Sequence, residues 1–211
     1  MTPAELAAGL LKAGAVKLQP GDPFTWSSGM KAPVYCDNRQ LLGDPELRAR
    51  VADALAEGAR ALSPTLVAGT STAGIPWGAL VAERLRLPFA YVRPEPKKHG
   101  MGRQVEGPSA KGHRVALIED LLSTGGSSLK CVEALRQEGG EVAAVLALFS
   151  YGLPAASQAF AAAAVPAQVL CTFETLAQEA EAGGAVDAAG RASLLDWQRD
   201  AAAWSKVRGG A

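Results

Sequence analysis

Residues 113–128, HRVALIEDLLSTGGSS, constrain this chain more than any other stretch. Apolar Val115-Ala116-Leu117-Ile118 runs straight into Glu119-Asp120, and Ser123-Thr124-Gly125-Gly126-Ser127-Ser128 follows two residues later. That order predicts a buried strand from His113 to Ile118, a tight loop, and a helix from Ser127 to Glu138. Ligands of an open parallel sheet collect beyond the carboxyl ends of its strands, which is where this reading puts the acids. Glycines 125 and 126 allow the backbone to fold tightly enough for successive N–H groups and a helix N-terminus to surround a phosphate. Ser123, Thr124, Ser127 and Ser128 add hydroxyl donors. Two carboxylates beside such a cradle would repel the phosphate unless they face sugar hydroxyls or a hydrated divalent cation. A sugar phosphate satisfies both halves. Other phosphate loops are missing: there is no GxxxxGK[ST], and no GxGxxG opens a helix after the first strands.

The rest of the chain alternates in the same way. Thr2-Pro3-Ala4-Glu5 has the form of a capping box and predicts a helix over about residues 3–14. Asp44-Pro45 repeats the start signal, with Leu47, Val51, Leu55 and Leu62 at roughly helical spacing as far as Ser63-Pro64. Thr65 to Ala68 reads as a buried strand feeding GTSTAG (69–74), Ile75 to Arg86 as a helix, and Phe89 to Val92 as another strand. Residues 93–112, rich in proline, glycine and charge, show no periodicity, and a long loop inside a compact domain points to function or disorder. Glu141 to Phe149 is a further strand. An alanine-rich stretch (155–165), an apolar run at 168–172 and a helical pattern near 187–207 complete the chain. Strands alternating with helices predict an α/β domain with a parallel sheet covered on both faces. With no internal repeat and no separating linker, residues 1–211 read as one domain carrying a small N-terminal addition.

Composition narrows the partners. With 21 basic and 21 acidic residues the formal net charge is zero, so nothing global draws the chain to nucleic acid or a membrane surface. Any anion must be held by a local cluster. Cys36, Cys131 and Cys171 have no paired spacing, which argues against a disulfide framework or a zinc site and for reduced thiols in a cytoplasm. The first residues lack a basic region, and no apolar run reaches membrane-spanning length.

Residues 115–128 resemble the phosphoribosyl diphosphate signature of type I phosphoribosyltransferases. Three more segments resemble the orotate phosphoribosyltransferases within that family: FTWSSGMKAPVYCDNRQ (24–40), GTSTAGIP (69–76) as the pyrophosphate loop, and YVRPEPKKHGMGRQVEG (91–107) as the mobile catalytic loop. The resemblance covers roughly residues 20 to 150 and implies a type I fold, with residues 1–40 as a hood-like segment forming part of the base site. It also implies transfer of ribose 5-phosphate from 5-phosphoribosyl 1-diphosphate to orotate, giving orotidine 5′-monophosphate and pyrophosphate, as in de novo UMP synthesis.

Carried over residue by residue, the resemblance gives Arg93, Lys97 and His99 the grip on pyrophosphate, with Lys97 and Asp120 foremost among the catalytic groups. Glu119 and Asp120 would hold the ribose 2′- and 3′-hydroxyls. Leu121, Leu122, Ser123, Thr124, Gly125, Gly126 and Ser127 would form the remainder of the phosphoribosyl site, and Ser123, Tyr35 and Arg39 would meet orotate. Mg2+ would bind through substrate oxygens and water without a direct protein ligand. A loop acting on the neighbouring subunit's site implies a homodimer. Cys36 and the four tryptophans read as packing, and Asp37 with Arg39 reads equally as an ion pair.

Four departures from the enteric-type pattern stand out. Ser27, Ala73 and Pro94 occupy positions that carry cations there, and Phe149-Ser150-Tyr151 stand where an arginine contacts orotate. Arg39 or backbone N–H groups are then the remaining partners for the orotate carboxylate. A purine or uracil as the base, a nucleic-acid-binding regulator on the same fold, and a purely structural domain stay open on the sequence, although zero net charge counts against nucleic acid.

Overall fold

The computed structural model describes residues 1–26, 28–93, 95 and 104–211. The expected start signals work as drawn. Helix α1 (Pro3–Lys12) opens on a reciprocal cap, the Glu5 N–H donating to Thr2 Oγ1 at 3.2 Å and the Thr2 N–H to Glu5 Oε2 at 2.7 Å. Four short strands follow: β1 (Val16–Leu18), β2 (Phe24–Thr25), β3 (Lys31–Ala32) and β4 (Val34–Cys36). β1 pairs with β4 and β2 with β3, both antiparallel. A 3-10 helix (Asn38–Gly43) leads to α2 (Pro45–Arg60), whose first N–H groups at Glu46 and Leu47 both donate to Asp44 Oδ1 at 3.0 Å.

From β5 (Leu66–Thr70) the chain alternates through α3 (Gly74–Leu85), β6 (Phe89–Val92), β7 (Val105–Glu106), β8 (Arg114–Leu122), α4 (Gly126–Gln137) and β9 (Glu141–Ser150). It then continues through α5 (Pro154–Ala162), β10 (Ala167–Thr172), α6 (Phe173–Ala182), α7 (Ala188–Arg199) and α8 (Ala201–Lys206). One six-stranded sheet runs β10-β9-β8-β5-β6-β7. Consecutive residues of β8 serve opposite cores: Ala116 and Ile118 face the side covered by α1, α2, α3, α6 and α7, while Val115 and Leu117 face α4 and α5. Burial on both sides explains why the strands read as continuous apolar runs.

The structure corrects the sequence reading in four places. The sheet is parallel except at its edge, where β7 runs antiparallel to β6 through Tyr91↔Glu106 and Val92↔Val105, inside the stretch read as a plain loop. β8 extends past Ile118 to Leu122, because β9 pairs alongside it as far as Leu122↔Ser150; the two acids therefore lie within the strand. Helix α6 was not anticipated. Thr172 ends β10 and caps α6 at once, its Oγ1 accepting from the Thr175 N–H at 3.3 Å, so no glycine or proline marks the junction. The pattern over 187–207 is two helices, divided at Asp200, which caps α8 through the Ala203 N–H.

The hairpin β2–β3 is braced from outside by the last residues. Ser205 Oγ accepts from the Lys31 N–H at 2.8 Å and donates to the Ala211 carbonyl at 2.9 Å, while the Ala211 N–H donates to the Gly29 carbonyl at 3.0 Å. No helix among the described residues is long and apolar enough to cross a membrane.

Candidate active site

At the carboxyl end of β8 the two neighbouring acids take different roles. Glu119 is 5% exposed and its carboxylate is filled by the protein: Oε1 accepts from Thr70 Oγ1 at 2.5 Å and from the Asp120 N–H at 3.0 Å, and Oε2 accepts from Ser128 Oγ at 2.8 Å. Ser128, read from sequence as a ligand donor, thus turns inward and is fully buried. Asp120 meets a different set: the backbone N–H groups of Asp120 and Leu121, and the Glu119 carboxylate itself. Its carboxyl is pushed up to about 7 by burial first and by the negative charge of Glu119 second. Its backbone is fixed by Asn38, whose Nδ2 donates to the Asp120 carbonyl at 2.7 Å. Asn38 is fully buried, and Cys36 Sγ donates to its Oδ1 at 3.1 Å. Sequence reasoning missed Asn38, since only the fold brings it to Asp120.

Behind Asp120, Ser123 and Thr124 lead to Gly125, which takes a left-handed conformation (φ 82°) and starts α4 without a side-chain cap. Its first N–H groups are left for a ligand, at the positive end of the helix dipole. Glycine is also required there by space, because a Cβ at 125 would lie 2.7 Å from Phe160. The GTSTAG loop closes the other side. A Cβ at Gly74 would fall 2.3 Å from Thr70 Oγ1 and 2.5 Å from the Ile118 carbonyl, so only glycine lets this loop sit directly against β8. The Ser71–Thr72 peptide is cis.

Beside this polar end opens a cleft of about 840 Å³ lined by Phe24, Thr25, Trp26, Ser28, Met30, Tyr35, Cys36, Leu121, Ser123, Thr124 and Tyr151. Leu121, Ser123 and Thr124 belong to both ends and join them. Among the described residues, no lysine or arginine lines the cleft. Tyr35 lines it and is 46% exposed. Trp26 corrects its assignment to packing alone: its ring stacks on Tyr151 at 5.7 Å, meets Trp197 edge-on at 5.8 Å, and forms a cleft wall. Trp77, Trp197 and Trp204 are buried as expected. Cys36 lines the cleft as well as packing beneath it, and burial pushes its thiol up.

Arg39 is not among the lining residues; its Nε pairs with Asp37 Oδ1 at 2.6 Å, and that contact holds the Asp37 carboxyl below the usual range. The ion-pair reading of these two residues therefore stands; Arg39 lies outside the cleft lining, within electrostatic range of Asp120 and Tyr35. Leu122 packs into the core on the α4 side, while its carbonyl accepts from the Tyr151 N–H at 3.0 Å. Ser127 is exposed on the first turn of α4. Arg93 stands where β6 ends. Its N–H donates to the Gln104 carbonyl at 2.9 Å, and its Nη1 lies 3.6 Å from Glu106 Oε1, in ion-pair range but too far for a hydrogen bond. Lys97 and His99 lie outside the described residues. No group of three or more His, Cys, Asp or Glu among the described residues forms a metal cage.

A polar cradle at a helix N-terminus, an open carboxylate and an adjoining aromatic cleft suit a substrate with phosphate, sugar and planar parts. Residues 37–158 match the family described as phosphoribosyl transferase domain. The orotate phosphoribosyltransferase of Bacillus caldolyticus is 52% identical over 202 residues, 95% of this chain and 98% of that protein. Among solved structures, orotate phosphoribosyltransferase from Aeropyrum pernix is 38% identical with a TM-score of 0.73, covering 86% of this chain and 99% of that one. The UMP synthase of Leishmania donovani is 25% identical with a TM-score of 0.80 over 94% of this chain, which spans 42% of that longer protein. With a family match over residues 37–158, a shared fold and half of its residues shared along nearly its whole length, the chain belongs to the phosphoribosyl transferase family, among the orotate phosphoribosyltransferases.

Proposed function

We propose that this chain transfers the ribose 5-phosphate group of 5-phosphoribosyl 1-diphosphate to N1 of orotate, forming orotidine 5′-monophosphate and diphosphate. The observation that carries the reading is the continuity of the cleft: Leu121, Ser123 and Thr124 join an aromatic slot to the N-terminus of α4. The slot takes a planar base, the helix N-terminus takes the 5′-phosphate, and the ribose then lies over Asp120.

In the reaction the bond from the anomeric carbon to the diphosphate oxygen breaks with its electron pair leaving on oxygen. The bond to N1 forms, and the N1 proton passes to water or to the departing diphosphate. As the sugar becomes cationic, the Asp120 carboxylate stabilises it and holds the ribose hydroxyls. Glu119, already satisfied by Thr70, Ser128 and the Asp120 N–H, supports Asp120 from beneath. Backbone groups of residues 69–74 and the Arg93 guanidinium receive the departing diphosphate, and Lys97 and His99 complete that grip.

Magnesium would be carried by substrate oxygens and water, with Asp120 the carboxylate beside the ribose hydroxyls. When bound it would neutralise diphosphate charge. We also place the loop of one protomer over the site of its partner, in a homodimer, and the enzyme in the cytoplasm, where its three free cysteines stay reduced.

Purified protein incubated with 5-phosphoribosyl 1-diphosphate and Mg2+ should release diphosphate with orotate and not with uracil, adenine, hypoxanthine, guanine or xanthine. Release with another base alone would overturn the choice of base. Mixing Lys97→Ala with Asp120→Asn subunits should restore activity, since one of the two sites in a mixed dimer then carries neither change. Confirmed mixed dimers without recovery would refute the trans loop.

A further inference from the structure

The base slot poses a charge problem. Orotate is uracil with a carboxylate on C6, next to the N1 that receives the ribose, yet no cation among the described residues lines the slot. A desolvated carboxylate needs donors, and charge-assisted hydrogen bonds are the effective ones.

Tyr151 is placed to supply one. Its position is fixed on every side: the N–H donates to the Leu122 carbonyl at 3.0 Å, the carbonyl accepts from Gln198 Nε2 at 3.0 Å, and the ring stacks on Trp26 and meets Phe149, Phe173 and Trp197 edge-on. Only 3% of the residue is exposed, and the cavity it lines is the base slot. Among the described residues its hydroxyl has no hydrogen-bond partner. Unlike Trp77 Nε1 and Trp197 Nε1, which are sealed and unpartnered, it keeps some contact with solvent. Burial, first of all, pushes the phenol up and keeps it protonated. Leu121, Ser123 and Thr124, which follow Asp120 directly in the chain, line the same slot as Tyr151, so the hydroxyl shares the cavity in which N1 and the C6 carboxylate must lie for transfer.

We propose that the Tyr151 hydroxyl donates to the orotate carboxylate and thereby sets the preference for orotate over uracil. The inference rests on orotate being the base, so wild-type turnover with orotate is measured first, and its absence would count against the function itself. The test is Tyr151→Phe, which removes one oxygen and keeps every ring contact. Orotate KM should rise roughly 10- to 100-fold, the range for one hydrogen bond to a charged group. The KM for 5-phosphoribosyl 1-diphosphate should stay within about twofold, and the melting temperature should not move, since the hydroxyl bonds nothing in the fold. Uracil, assayed as substrate or as competitive inhibitor, should be unaffected. The orotate-to-uracil preference should therefore fall by the factor seen in orotate KM. An unchanged preference, or an equal loss for both bases, would overturn the assignment.

Discussion

The two ends of the cleft are built differently. At the phosphate end, Asp120, Ser123, Thr124 and the first turn of α4 come from ten consecutive residues, and the recognising groups are backbone N–H, hydroxyl and carboxylate. At the base end, Phe24, Trp26, Tyr35, Leu121 and Tyr151 come from distant parts of the chain, and Trp197, Ser205 and Ala211 brace them from behind. In the proposed function, phosphate recognition is thus a local backbone problem, met by a strand, a left-handed glycine and a helix start. Base recognition, in the same proposal, is a tertiary problem, met by packing aromatic side chains.

The largest test of that difference is Asp120→Asn. Removing the charge that faces the developing cation should lower kcat about 100- to 1000-fold, the scale for losing one preorganised electrostatic group, while orotate binding changes little. The same carboxyl gives the next effect. Its folded value, about 7, is raised above the ordinary 3.8, so the folded protein holds this proton more tightly than the unfolded chain. Ionised Asp120 being required, kcat/KM should fall tenfold per pH unit below about 7, with the acid limb absent in Asp120→Asn. A flat profile down to pH 5 would separate Asp120 from the chemistry. The sign for stability is opposite: the raised carboxyl costs stability as pH rises from about 4 through about 7. Asp120→Asn should therefore melt higher than wild type at pH 8 by about 2–4 °C per kcal/mol relieved, and no higher at pH 4.

This contrast also explains what the sequence disclosed. Val115 to Ser128 could be read directly because strand, loop and helix are consecutive, and the glycine requirement at 125 is local. The division of labour between Glu119 and Asp120 could not, since it depends on Thr70 from β5 and Ser128 from the far side of a turn of α4. The pairing of Arg39 with Asp37 was legible as one of two readings because the residues stand two apart in the chain. Trp26 and Tyr151 gave no periodic signal: each lies in a loop beyond a strand, and only the fold sets them face to face.

Glu119→Gln should act on the fold more than on the reaction step. An amide in this position would turn its NH2 toward a group that now donates to a carboxylate oxygen, leaving at least one buried donor unmatched at a cost of about 1–3 kcal/mol. Thermal melting should show that loss, with orotate KM nearly unchanged. Equal melting temperatures would mean that the three donors around Glu119 are not what holds it.

The smallest effect should come from the outer brace of the base end. A Cβ at Gly210 would lie 2.3 Å from Ser205 Oγ and 2.8 Å from the Lys31 nitrogen, the two atoms whose hydrogen bond ties the β2–β3 hairpin to α8. Gly210→Ala must push that contact apart. The hairpin carries Phe24 and Thr25, and the turn that follows carries Trp26, so displacement there reaches the base slot and leaves β8 and α4 untouched. Orotate KM should rise roughly two- to tenfold, within the tenfold that 1.4 kcal/mol represents, while kcat and the KM for 5-phosphoribosyl 1-diphosphate hold. Loss shared equally by both substrates would show that the two ends of the cleft are mechanically coupled, and the comparison between them would fail at the point where Leu121 and Ser123 join them.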